Sequence, residues 1–340
     1  VIFSHERLFL PMGPPVEPRD QSDRLFEIRR LIDRGLYKEA CELQFTLSGQ
    51  NGFMYPDYFV PALDLTIRTK AEGEIRDYAR SVDFQTGEAT VHWRDDRGVF
   101  ERRMFVSRAA GVAVLLLRAP KAGLNCRLAL EPREPSDEFN SDSDINKRSA
   151  QVFREYVSDI KSTAGECWIT YSNRFSKAYP GSIHALESFA RIAPAGGKTA
   201  PQEDGSLVVT GADHVLLLLD IRLLYDPQKS VIEEMKDSLD KLPADYARLL
   251  DGHAALHGKL FNRMRLDIGG GADHRRTTEE LLELSTYENP NRALIEKEFD
   301  AGRYNIICST GEMPPTLQGV WGGTYVPGWA SDFTHNGNVP

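Results

Sequence analysis

Apolar residues recur along this chain with two different periods, and the change between them divides it. From Asp23 to about Phe45, Leu25, Ile28, Leu31, Ile32, Ala40 and Leu43 return every three or four residues, with a break at Gly35. That spacing predicts two short helices joined at Arg34 and Gly35. Beyond Pro61 the period becomes two. The segments Leu63 to Arg68, Ile75 to Asp83, Ala89 to Arg94, Val99 to Val106, Val112 to Ala119 and Cys126 to Leu130 are separated by Gly, Pro or Asp clusters. Short alternating segments at this spacing predict a many-stranded antiparallel sandwich. Asp95, Asp96, Arg97 and Gly98 supply a hairpin turn between two of them. Strands are expected again at Trp168 to Ser172, Leu186 to Ile192, Leu207 to Thr210 and His214 to Leu219.

Near residue 225 the period reverts to helical. Asp226 followed by Pro227 reads as a helix start, with Val231, Ile232, Met235, Leu239 and Leu242 as the apolar stripe and Pro243 as the stop. A second helix is expected from Ala244 to about Phe261. Gly269, Gly270 and Gly271 then form a flexible break, and Leu281, Leu282, Leu294, Phe299, Tyr304, Ile306 and Ile307 point to further helices. The expected fold is thus β plus α. An antiparallel β-sandwich module occupies 1–225, with short helices near 23–45; a helical linker occupies 226–271; and a helical domain that has only begun occupies 272–340.

Composition narrows the classes of function. At 340 residues the chain exceeds one ordinary domain, and 41% hydrophobic with 27% charged residues suits a folded soluble chain. The net charge is −9 and Lys and Arg are scattered, which argues against a nucleic-acid partner. Runs such as Val112 to Leu117 and Val215 to Leu219 are too short for a membrane span and read as buried strands. Cys41, Cys126, Cys167 and Cys308 form no C-x-x-C unit and read as isolated buried thiols, so neither a metal nor a redox cofactor is signalled. The polar stretch from Glu131 to Ala150 lacks the Gly and terminal Glu of a calcium loop and reads as a solvated loop. Val1 is not an initiator Met and no signal-like run follows, so either a signal was removed or the start is missing.

The densest group of unusual residues lies at the end. Leu317-Gln318-Gly319-Val320-Trp321-Gly322-Gly323 is followed by Pro327-Gly328-Trp329-Ala330-Ser331-Asp332-Phe333-Thr334-His335-Asn336-Gly337-Asn338, and neither run has a regular period. Taken locally, two readings stand. One is a Gly-rich loop whose Asn336 and Asn338 satisfy turn backbone groups. The other is a sugar site, because flat aromatic rings suit the apolar faces of sugars while carboxamides and carboxylates bond hydroxyls or a water.

The same residues carry a resemblance. Gly302-Arg303-Tyr304-Asn305-Ile306-Ile307-Cys308-Ser309, then Leu317 to Trp321, then Trp329 to Asn338, resemble the segment leading into the catalytic barrel of glycoside hydrolase family 95. Upstream, Ser4-His5-Glu6-Arg7-Leu8-Phe9-Leu10-Pro11, Glu27 to Ile32 with Gly35 and Glu39-Ala40, Tyr78-Ala79-Arg80 with Asp83, and His253 to Gly269 are similar to its N-terminal module and linker. The resemblance implies a β-sandwich, a helical linker and the beginning of an (α/α)6 barrel that hydrolyses terminal α-L-fucosyl or α-L-galactosyl linkages with inversion. It implies that Asn336 and Asn338 polarise the attacking water, assisted by a distant Asp, and that a Glu from a later helix protonates the leaving oxygen.

Trp321, Trp329 and His335 are the accompanying candidates for substrate binding. The implied partner is a fucosylated or L-galactosylated glycan, with no cofactor, and export to the periplasm or outside the cell follows the family habit. Gly337 and His335 depart from the apolar residues expected at their positions, which leaves the preferred sugar open. The chain ends at Pro340, before the expected general acid and most of the barrel, so the fragment by itself is expected to be inactive and to leave stripes such as Leu281, Leu282 and Leu294 exposed. Two alternatives stay open: a non-catalytic carbohydrate-binding or assembly module, and a related (α/α)6 glycoside phosphorylase.

Overall fold

The computed structural model describes residues 1–11, 13–14, 20–48, 57–135 and 143–326. In chain order, β1 (Ile2–Phe3) and β2 (Phe9–Leu10) precede a helical hairpin of α1 (Leu25–Asp33) and α2 (Tyr37–Ser48). There follow β3 (Tyr58–Phe59), β4 (Leu63–Thr69), β5 (Arg76–Asp83), β6 (Glu88–Asp95), β7 (Gly98–Val106), β8 (Ala113–Arg118) and β9 (Leu124–Glu131). After α3 (Ser143–Tyr156) come β10 (Val157–Gly165), β11 (Trp168–Phe175), β12 (Ala185–Ala195), β13 (Lys198–Pro201), β14 (Leu207–Ala212) and β15 (His214–Leu224). The described chain continues as α4 (Ile232–Asp240), α5 (Tyr246–Phe261), α6 (Thr278–Glu283) and α7 (Arg292–Cys308).

The strands form a five-stranded sheet of order β1-β4-β9-β14-β13 and an eight-stranded sheet of order β10-β11-β12-β15-β8-β7-β6-β5, beside a two-stranded β2-β3 ribbon. Among the described residues every pairing is antiparallel. The expected β-sandwich followed by helices is the fold observed. The unbroken apolar runs are explained by burial on both faces of the larger sheet. Val215, Leu217 and Leu219 of β15, with Ala113, Leu115 and Leu117 of β8, point into the core between the sheets. Leu216, Leu218, Val114 and Leu116 point the other way and pack under Met235 and Leu239 of α4 and Tyr246 and Leu249 of α5. A strand covered on both sides loses its polar alternation. The buried Glu88 ties α5 to this outer face, accepting from Tyr246 Oη at 2.6 Å and from Arg103 Nε at 2.8 Å.

Several expectations need correction. The helix predicted from Asp226 begins at Ile232, because the Asp226 carboxylate accepts from Gln228 N at 2.9 Å and closes a turn instead of capping a helix. Glu187 Oε2 then takes Val231 N at 2.7 Å and fixes this turn to β12. The stretch expected to be a solvated loop contains α3, whose Ser149 is buried and whose Val152 and Phe153 pack on the core; residues 136–142 lie outside the described ones. Of the thiols, Cys126 is buried, while Cys41, Cys167 and Cys308 are exposed, and all of them are free. Leu281 is fully buried against Ala293 and Leu294, so of the expected exposed stripe only Leu282, at 57% exposure, faces solvent. The capping box of α6, with Thr277 Oγ1 accepting from Glu280 N and Glu280 accepting from Thr277 N, is what turns Leu281 inward.

Candidate functional site

The segment that ends the described chain is held by groups from both the helices and the sandwich. Asn291 caps α7, its side chain accepting from Leu294 N at 3.2 Å. At the other end of α7, Arg108 Nη2 donates to Ile307 O and, at 3.0 Å, to Thr310 O. The last carbonyls of a helix lack the i+4 amide that serves its interior, so an arginine from the β7–β8 loop adds a charged donor at this end, beside the Ser309 amide and the Thr310 hydroxyl that also reach Ile307 O. Arg303 Nη2 does the same for α5, donating to Leu260 O at 3.2 Å and Phe261 O at 2.7 Å. The N-terminal segment joins here as well. Glu6 accepts from Glu312 N at 3.4 Å and Met313 N at 3.3 Å, and Gly311 leaves no room for a Cβ beside the Glu6 carboxylate. The Arg7–Glu312 pair, 2.8 Å apart, is exposed on both sides and contributes little stability.

From Thr316 the chain runs as a strap across the sandwich. Thr316 Oγ1 donates to Gly319 O at 2.9 Å, and Gly319 has φ of 75°, a value that suits glycine. The Trp321 ring lies over Gly319, where any side chain would overlap it. Gly322 passes so close to Phe59 that a Cβ would meet Cδ1 at 3.1 Å. Arg133 then bridges the strap and the five-stranded sheet, with Nε donating to Gly323 O at 3.2 Å and Nη1 to Asp64 Oδ2 at 3.1 Å. Tyr325 is 1% exposed, belongs to the core between the sheets, and packs 5.0 Å from Phe153. Its N–H donates to Ser149 Oγ at 3.0 Å. Burial, reinforced by Tyr171 and Asp64, pushes the Tyr325 phenol far above its ordinary range, so it stays neutral.

Trp321 is thus the candidate site residue that lies within the described structure, and its indole is 55% exposed. An exposed aromatic face on a glycine-braced turn can stack on an apolar surface. Trp329, His335, Asn336 and Asn338, like Asp332, lie outside the described residues. Glu312, the nearest described acid, is at the surface and paired with Arg7. Among the described residues no three His, Cys, Asp or Glu side chains gather into a metal-binding set, and no helix is long and apolar enough to cross a membrane.

Sequence reasoning missed Arg133, Ser149 and Tyr325, which seat the strap. Arg133 and Ser149 are in the polar stretch that reads as solvent-facing, and Tyr325-Val326 was masked by the glycines and proline around it. An apolar pair inside an otherwise polar, Gly-rich run was the available signal.

Comparisons with known proteins complete the picture. A plant protein from Arabidopsis thaliana named "Alpha-L-fucosidase 2" is 25% identical over 93% of this chain and 39% of its own length. Two fungal proteins, each named "Probable alpha-fucosidase A", are similar: that of Aspergillus niger is 25% identical over 84% of this chain and 35% of its own, and that of Aspergillus oryzae 24% identical over 81% and 38%. The chain therefore spans well under half the length of these relatives. A solved structure provisionally named kojibiose phosphorylase, from the human microbiome, aligns with 62% of this chain and 30% of its own at 9% identity and a TM-score of 0.40, too loose a likeness to carry an argument. Residues 245–340 match the glycosyl hydrolase family 95 catalytic domain, and residues 12–228 match the glycosyl hydrolase family 65 N-terminal domain. The second match takes in the whole eight-stranded sheet and the five-stranded sheet from β4 onward, while the first takes in α5, α6, α7 and the strap; covering more than half of the chain, the second shows that the chain belongs to the proteins that carry the glycosyl hydrolase family 65 N-terminal domain.

Proposed function

We propose that this chain is the N-terminal portion of an inverting glycoside hydrolase that removes terminal α-L-fucosyl or α-L-galactosyl groups from glycans. The match of residues 245–340 to the family 95 catalytic domain carries this reading, since that span contains Asn336 and Asn338. In this reading 1–225 is the sandwich module, 226–271 the linker, and 272–340 the opening of the barrel.

An inverting site needs a water on the face opposite the leaving group, with acid and base roughly 6.5–9.5 Å apart to leave it room. Asn336 and Asn338 would orient and polarise that water through their carbonyl oxygens. A neutral carboxamide cannot take its proton near neutral pH, so a carboxylate from elsewhere in the barrel must do so, and a carboxylic acid must protonate the leaving oxygen. Trp321, Trp329 and His335 would contribute surfaces for the sugar. Leu256, Met264, Leu282, Leu284 and Ile306 are exposed on or beside α5, α6 and α7, and this supports a reading in which further helices pack against them.

Turnover of an α-L-fucoside separates the alternatives. The 340-residue chain alone should show none, and a longer protein carrying it should hydrolyse the substrate without phosphate. Turnover by the chain alone would contradict the proposal that the general acid comes from a further part of the barrel, and strict dependence on phosphate would mark a phosphorylase instead.

A further inference from the structure

Away from the strap, α5 buries two imidazoles one turn apart, His253 and His257, with ring centres 5.2 Å from each other. Together they are tied to two connections of the eight-stranded sheet, the β7–β8 loop and the β5–β6 turn. His253 Nδ1 accepts the main-chain N–H of Arg108 at 3.1 Å, which requires that nitrogen to be unprotonated. The other side of the ring faces the β5–β6 turn, where it bonds to the Thr86 backbone. Gly87, at φ of 70°, passes so near that a Cβ would lie 2.8 Å from His253 Nε2. His257 Nε2 pairs with Phe84 O at 2.9 Å, and a carbonyl partner makes it the donor.

Arg108 extends this arrangement to α7. Its amide holds His253 while its guanidinium holds the carbonyls of Ile307 and Thr310. The setting is aromatic. Phe105 stacks on His253 at 5.1 Å, Phe261 on His257 at 6.5 Å, and Tyr304 meets His257 edge-on at 6.0 Å. The charged and titratable groups that act on the pair are Arg108 from the β7–β8 loop, Asp83 from β5 and Tyr304 from α7; behind them, Cys308 bonds to Tyr304 and Arg303 lies over the Phe261 ring. Asp83 is the one acid among them, and it accepts from Gln85 N at 2.9 Å and Thr86 N at 3.0 Å.

We propose that His253 and His257 form a proton-operated latch between the sandwich and the helices. Neutral, they tie the β5–β6 turn and the β7–β8 loop to α5 and, through Arg108, to the end of α7. A proton added to His253 Nδ1 displaces the Arg108 amide and places a cation beside the Arg108 guanidinium and His257, so the junction opens. Burial first, then His257 and Arg108, hold the His253 imidazole down to about 4, and burial likewise lowers His257. The sign follows. Above the ordinary histidine value both folded and unfolded chains are neutral and the latch is closed. As the pH falls from about 6.5 toward 4 the open form binds protons the closed form refuses, which favours opening by about 1.4 kcal/mol per unit of pH for one histidine.

Amide exchange followed by mass spectrometry, corrected for intrinsic rates at each pH, tests the latch in this chain. Between pH 7 and about 4.5, peptides covering residues 84–87, 107–110 and 300–310 should lose about tenfold or more of their protection, while β8 and β15 keep theirs. His253→Asn retains an acceptor near the δ position and cannot titrate in this range, so it should keep only the part of the loss due to His257, at least about threefold smaller than in the unaltered chain. Equal loss in both proteins, loss spread evenly into β8 and β15, or no loss at all would overturn the proposal. Should H253N fail to fold at pH 7, NMR titration of the unaltered imidazoles decides: His253 titrating near its ordinary value overturns the latch, and titration below about 5 supports it.

Discussion

Tyr325 shows how one side chain fixes a long segment of irregular chain. In sequence it follows two glycines closely and precedes a proline, yet its ring is packed in the core between the sheets and its amide is held by Ser149. Replacing it with alanine removes a fully buried ring and leaves a cavity. Y325A should cost about 3–4 kcal/mol in urea unfolding, whereas Y325F should cost under about 1.5 kcal/mol. A Y325A loss within experimental error would show that the strap is not seated as described. At this scale the sequence was least legible. Asn336 and Asn338 stood out through a family resemblance, but Arg133 and Ser149 could not be singled out, because their partners Gly323 and Tyr325 are 190 and 176 residues away.

Among elements, periodicity located the strands and long helices well where their burial was one-sided or complete. β15 and β8 were recognised as buried strands from apolar runs alone, and the sheet later explained the runs by covering both faces. Elements made by pairing rather than by pattern were invisible. β1, β2 and β3 have only two residues each, and edge strand β10 carries a largely polar sequence. Strand order was equally hidden, since β4 pairs with β9 from Asp64↔Glu131 to Thr69↔Cys126 across a long stretch of chain. The start of α4 was misplaced because Asp226 has two competing uses, helix cap and turn, and local hydrogen bonding selected the turn.

The docking of α5 offers a test at this scale. Gly87 has φ of 70° and no space for a Cβ beside His253. G87A should destabilise the fold by about 2 kcal/mol or more, from the left-handed backbone and the clash together. A neutral effect on the thermal midpoint would mean that the β5–β6 turn is not pressed against α5.

On the scale of the molecule, the two-sided burial of the larger sheet and the one-sided burial of the last helices tell different stories. The sandwich closes its own core, and α4 and α5 close the second layer. By contrast Leu256, Leu282, Leu284 and Ile306 remain exposed on or beside α5, α6 and α7, and α6 and α7 bury only a small cluster of Leu281, Ala293 and Leu294. A surface of this kind is expected to associate. Light scattering of the isolated chain should give a mass that rises with concentration; a constant monomer mass would count against any further helices packing there. The overall class, a sandwich followed by helices, was legible because it depends on the change of period near residue 225.

The catalytic assignment is tested most directly by the anomer first released from an α-L-fucoside. A longer protein containing this chain would be followed by proton NMR, unaltered and with Asn336→Ala or Asn338→Ala. A water directed by these carboxamides should give β-L-fucose first, and each variant should lose about a hundredfold or more in turnover. Release of the α anomer first, or variants that turn over at the unaltered rate, would contradict the assignment.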